Sequence, residues 1–62
     1  MSYVTTDDLR ANPFRVAVTQ DGVRVQCHPE MGMEFEHGGD WHMMCGAFMG
    51  SLDWPAQWEE PQ

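Results

Sequence analysis

Asp21-Gly22 lies between two runs of alternating residues, and no other feature constrains this chain so tightly. Phe14, Val16 and Val18 alternate with Arg15, Ala17 and Thr19 before it; Val23, Val25 and Cys27 alternate with Arg24 and Gln26 after it. Asp-Gly in that setting marks a hairpin, because a two-residue loop of matching twist needs positive φ at both central positions. Such a loop predicts Gln20 opposite Val23, Val18 opposite Val25 and Val16 opposite Cys27, with the apolar residues on a common face. A slip of one residue would turn that apolar set outward.

The pattern continues. His28-Pro29-Glu30-Met31-Gly32 reads as a second turn, followed by Met33, Phe35 and His37 alternating with Glu34 and Glu36. With Cys27 opposite Met33, Val25 falls opposite Phe35 and Arg24 opposite Glu36, a pairing of opposite charges that favours this register. Gly38-Gly39 suits another tight turn, which sets Phe35 opposite His42, Met33 opposite Met44 and Glu36 opposite Trp41. The expected inner rows are Val18–Val25–Phe35–His42 and Val16–Cys27–Met33–Met44. Thr19, Arg24, Glu36 and Trp41 form one outer row, and Ala17, Gln26, Glu34 and Met43 the other. Residues 40–45 are read as the fourth strand. A helix over residues 40–52, capped by Asp40, competes with it through Trp41, Met44, Cys45, Phe48 and Leu52 at helical spacing. Gly46 and Gly50 weigh against that helix at about 1 kcal/mol each.

Both ends carry helix signals. Thr5-Thr6-Asp7-Asp8 opens a short helix and Asn12-Pro13 stops it. In the tail, Asp53 is a candidate cap, Pro55 fits a first turn, and Trp54 and Trp58 share a face at i, i+4. The expected fold is therefore α+β, mainly β: a small antiparallel meander of three or four strands with short terminal helices. It forms a single domain over residues 1–62, with an N-terminal arm (1–13), the meander (14–45) and an acidic aromatic tail (46–62).

Size and charge limit the function. A chain of 62 residues buries only about 60% of the surface it exposes when unfolded, which leaves no walls for a large active-site cavity. No nucleophile–base spacing or phosphate-binding glycine loop is present, so the chain is not expected to be an enzyme. The formal net charge is −7, unevenly spread. Before Gly32, Arg10, Arg15 and Arg24 nearly balance Asp7, Asp8, Asp21 and Glu30. After Met31 every charge is acidic: Glu34, Glu36, Asp40, Asp53, Glu59 and Glu60. Such a surface repels nucleic-acid phosphates and anionic membranes and suits a basic protein surface. The absence of lysine points to a high-GC genome, such as an actinobacterium or one of its phages. The first residues lack the basic and apolar regions of a secretory signal, so a cytoplasmic location is expected.

Cys27, His28, His37, His42 and Cys45 are the residues with metal-ligand chemistry. Asp21 to Cys27 resembles the first hairpin of small zinc-ribbon proteins, and that resemblance implies a zinc site. The Cys-x-x-Cys of that family is absent, with Glu30 at the place of its second cysteine, and only His42-x-x-Cys45 keeps the spacing. In the expected sheet His37 lies roughly 13 Å along the strands from Cys27, too far to share a metal. No metal and no cofactor is expected; a zinc-binding protein using His37, His42 and Cys45 is the alternative. Cys27 and Cys45 face opposite sides, so two free thiols follow.

Trp41 and Met43 are expected on the outer face beside Glu34 and Glu36, while Trp54 and Trp58 sit in the tail with Glu59 and Glu60. At least one tail tryptophan is expected to fold back onto the protein, and the internal methionines mostly to fill the core. The remaining aromatic surface within an acidic border has the make-up of a partner-binding patch. The expected function is thus a small acidic, non-catalytic protein-binding module, a phage or bacterial regulator or inhibitor. A self-associating assembly protein that pairs through a sheet edge is the other alternative.

Overall fold

A computed structural model describes residues 3–60; residues 1–2 of the arm and 61–62 of the tail lie outside them. The order is α1 (Thr6–Ala11), β1 (Ala17–Val18), β2 (Arg24–His28), β3 (Gly32–His37), β4 (Asp40–Met43), α2 (Gly46–Ser51) and β5 (Gln57–Trp58). The strands form one antiparallel sheet in the order β4-β3-β2-β1-β5. The architecture is α+β and mainly β, as the alternation predicts.

Local chemistry starts and stops α1. Thr5 accepts from the Asp8 N–H at 3.4 Å while the Asp8 carboxylate accepts from the Thr5 N–H at 2.9 Å, a reciprocal capping box. Asn12 closes the helix, donating from Nδ2 to the Asp8 carbonyl at 2.9 Å. This leaves Leu9 fully buried.

The β2–β3 and β3–β4 registers follow the sequence. Val25 opposes Phe35, Cys27 opposes Met33, Phe35 opposes His42 and Glu36 opposes Trp41. Gly38 and Gly39 take φ of 63° and 85° in the two-residue turn, a conformation that side chains other than glycine rarely adopt. In the β2–β3 turn, His28 Nδ1 accepts from the Glu30 and Met31 amides, each at 3.1 Å.

The first hairpin departs from expectation by one residue. Ala17, not Val18, opposes Val25, and Val18 opposes Arg24. The loop has three residues, Gln20-Asp21-Gly22: Thr19 N–H donates to the Val23 carbonyl at 3.0 Å and Gly22 N–H to the Thr19 carbonyl at 2.9 Å. Gly22 has φ 86° while Asp21 stays at negative φ, the pattern of a turn followed by one left-handed residue. Asp21 is held there by the Thr19 hydroxyl and by the Asp53 N–H at 3.3 Å. The slip turns Ala17 and Thr19 inward, both buried, in place of the expected Val16 and Val18.

The C-terminal third is corrected as well. Residues 40–52 divide between the two readings: Asp40–Met43 is strand, and Gly46–Ser51 is helix. Cys45 caps α2, its Sγ accepting from the Phe48 N–H at 3.4 Å. Gly46 is the first helical residue and Gly50 lies in the last turn, where glycine costs less than in a helix interior. The tail is not the expected helical turn with Trp54 and Trp58 on one face. It crosses back after the cis Trp54–Pro55 bond, pairs Ala56 with Val4, and adds β5 beside β1, with Ala17 opposite Trp58.

One face of the sheet supplies the core. Val25, Cys27, Met33 and Ala17 are buried against Leu9 of α1, Leu52 after α2, and the Val4–Ala56 pair. Phe35, Met44, Phe48, Met49, Trp54 and Trp58 pack around them, so Met33, Met44 and Met49 serve the core, as expected. Met31 and Met43 stay exposed.

Candidate functional site

Strand alternation sends Arg24, Gln26, Glu34, Glu36, Trp41 and Met43 to the side of the sheet opposite this core. The apolar residues of α1 and α2 pack on the core side.

Arg24 organises the outer face. Its Nη1 donates to the Glu36 carboxylate, its cross-strand neighbour. Nε and Nη2 donate to Glu59 Oε2 and Oε1 at 2.7 and 2.9 Å, a bidentate pair. Hydrogen bonding to Glu59 raises Arg24 above its ordinary value, with the Glu36 and Glu59 charges adding to the effect and burial opposing it. The same bond lowers Glu59. The guanidinium carbon lies 5.7 Å from the centre of the Trp41 ring, within cation–π range. With Arg24 committed to two carboxylates, the outer face offers no other cation among the described residues on strands β2 to β4.

The next row is different. Glu34 and Gln26 are buried, and Gln26 Nε2 donates to Glu34 Oε1 at 2.9 Å. Glu34 therefore contributes little carboxylate to solvent. Beside it, Met43 on the edge strand is 62% exposed.

The expected binding residues thus separate. Glu36, Trp41 and Glu59 gather around Arg24, with Met43 and Glu34 in the adjoining row. Trp54 does not join them: it packs on the core and its indole N–H donates to the Met49 carbonyl at 2.8 Å. Trp58 also packs on the core, with the Arg15 guanidinium 4.2 Å from its ring centre. Both tail tryptophans serve the protein itself, so the expected self-burial extends to the pair. Glu60 is exposed beyond β5. The sequence disclosed Arg24–Glu36 through cross-strand charge; it carried no local signal for Glu59.

The metal-ligand candidates are dispersed. His42 Nε2 is bonded to the His37 carbonyl at 3.0 Å, and the two rings stand 6.2 Å apart between centres. The Cys45 sulfur caps α2, while Cys27 is buried in the core. Among the described residues no three His, Cys, Asp or Glu side chains gather in a metal-binding arrangement. An open depression of about 410 Å³ lies where Val18 and Gln57 meet Gln20, Pro55 and Trp58, with no acid–base pair among the described residues that line it.

Among the described residues no helix is long and apolar enough to cross a membrane. Comparison with known proteins returns no match: no family model fits the chain, and neither a curated protein nor a solved structure is significantly similar to it.

Proposed function

We propose that the chain is a small, non-catalytic protein-binding module that presents the outer face of its sheet to a basic protein surface. One observation carries this reading: Trp41 and Met43 stand on the edge strand, on the face opposite the core and with Met43 exposed, beside Glu36 and the carboxylate-saturated Arg24. An aromatic ring and a thioether supply adaptable desolvated contact, and surrounding carboxylates steer a cationic partner. The net charge of −7, concentrated after Met31 in Glu34, Glu36, Asp40, Asp53, Glu59 and Glu60, supports the same preference. A regulator or inhibitor in the cytoplasm of a high-GC bacterium or its phage fits this chemistry, with Cys27 and Cys45 as free thiols.

Affinity capture from the source organism, compared across variants, tests the reading. Trp41→Ala is expected to lose the captured partner while keeping the parent's circular dichroism. Glu60→Lys is expected to slow association and weaken its salt dependence. Retention of the partner by both variants, at parental rates, would place the interface elsewhere.

A further inference from the structure

Among the described residues the sheet ends at β4, which has a strand partner on one side only. Its backbone polarity is fixed by the turn. His37 and Asp40 close the two-residue loop, and the Met44 N–H donates to the Met33 carbonyl at 2.9 Å. Hydrogen-bonded and non-hydrogen-bonded pairs alternate along an antiparallel ladder. His42, midway between Asp40 and Met44, therefore directs its N–H and C=O toward β3, and Trp41 and Met43 direct theirs to the open side. Asp40, His42 and Met43 are exposed and Trp41 is half-buried. No lysine, arginine or proline protects this edge, although those are the usual devices against strand addition.

We propose that β4 is a docking edge for an extended, cationic segment of the partner, which joins the sheet as a sixth strand. This rests on the protein-binding reading and names the form that the partner takes. Residues of an antiparallel added strand that face Trp41 and Met43 share the outer face with them. An arginine opposite Trp41 reaches the ring and the Glu36 carboxylate behind it, one strand spacing farther on. Asp40 attracts the cations of the other face. Charge selects this occupant over a second copy of the chain, since two chains of −7 repel and each edge brings its own Asp40. The opposite edge, β5, has only two residues and is a poorer template.

The test uses a short peptide alternating arginine with threonine, and the same peptide with glutamate in place of arginine. The arginine peptide is expected to slow hydrogen exchange at the Trp41 and Met43 amides, and the glutamate peptide to leave them unchanged. Met43→Pro removes an outward N–H without touching the β3 ladder; it is expected to weaken binding by about tenfold or more. Should that variant fail to fold, Met43→Lys keeps the backbone and is expected to weaken the arginine peptide by like charge. If the arginine peptide binds Met43→Pro as tightly as the parent and perturbs only the Trp41 ring, strand addition is overturned while the outer-face reading survives. If the peptide does not bind, strand addition is overturned, and the Trp41→Ala capture decides the broader reading separately. Protection of both amides without peptide, in a chain that sediments as a dimer, would overturn it in favour of a second copy.

Discussion

Arg24 grips Glu59 through two hydrogen bonds, at 2.7 and 2.9 Å, across 35 positions of the chain. The contact passes over β1 and ties the residue after β5 to the second strand. The same guanidinium holds Glu36 on the third strand. One side chain thereby joins the last strand to the middle of the sheet, and it does so on the face that carries Trp41. Folding and the proposed interface share this residue.

Acid should loosen that tie. Glu59 lies below its ordinary 4.5, first because Arg24 donates to it. Asp21 lies below its ordinary 3.8, first because the Thr19 hydroxyl donates to it. A lowered native value means that the unfolded chain takes up the proton first as pH falls. The stabilisation is therefore present above the ordinary carboxylate values and is lost as pH drops through the lowered ones. Melting temperature should fall below about pH 4.5 in the parent, and fall less steeply in Glu59→Gln. Parallel curves would show that the pair contributes nothing to stability.

The one-residue slip of the first hairpin is testable by volume. Ala17 is fully buried between Val25 and Trp58, so Ala17→Leu should destabilise by roughly 1–3 kcal/mol through overpacking. Val18 lies on the other side of β1, and Val18→Thr should remain within about 0.5 kcal/mol. Urea unfolding of the two variants reads the register directly, and the reverse order would restore the two-residue loop.

Trp54→Phe keeps a ring against the core but removes the donor to the Met49 carbonyl. The expected cost is about 1 kcal/mol, measured by urea unfolding followed by the fluorescence of the remaining tryptophans. An unchanged midpoint would show that water replaces the indole at no cost.

The capping box of α1 gives a local control. Thr5→Ala should cost about 1 kcal/mol, and Thr5→Ser much less, because serine retains the accepting oxygen. Thermal melts of the two variants distinguish loss of the cap from loss of a methyl group. Equal losses would assign Thr5 a packing role.

Sequence alone determined the parts of this protein whose partners are close along the chain. Thr5, Asp8 and Asn12 bound α1 within a few residues. Short turns carry β2 into β3 and β3 into β4, so alternation and the Arg24–Glu36 charge pair fix both registers. Gly38-Gly39 also decides which amides of β4 face outward. Only the tertiary structure decided the rest. The Asp21-Gly22 turn is compatible with two registers that differ by one residue, and Asp21 takes its conformation with help from the distant Asp53 amide. Gln57–Trp58 carries too little alternation to name a partner, yet it pairs with β1, and Glu59 finds Arg24. Trp54 and Trp58 leave the outer surface because a core this small needs their rings. A local turn can restrict a few torsions, but burial is shared across the whole chain, and its outcome is settled only when all the apolar surfaces meet.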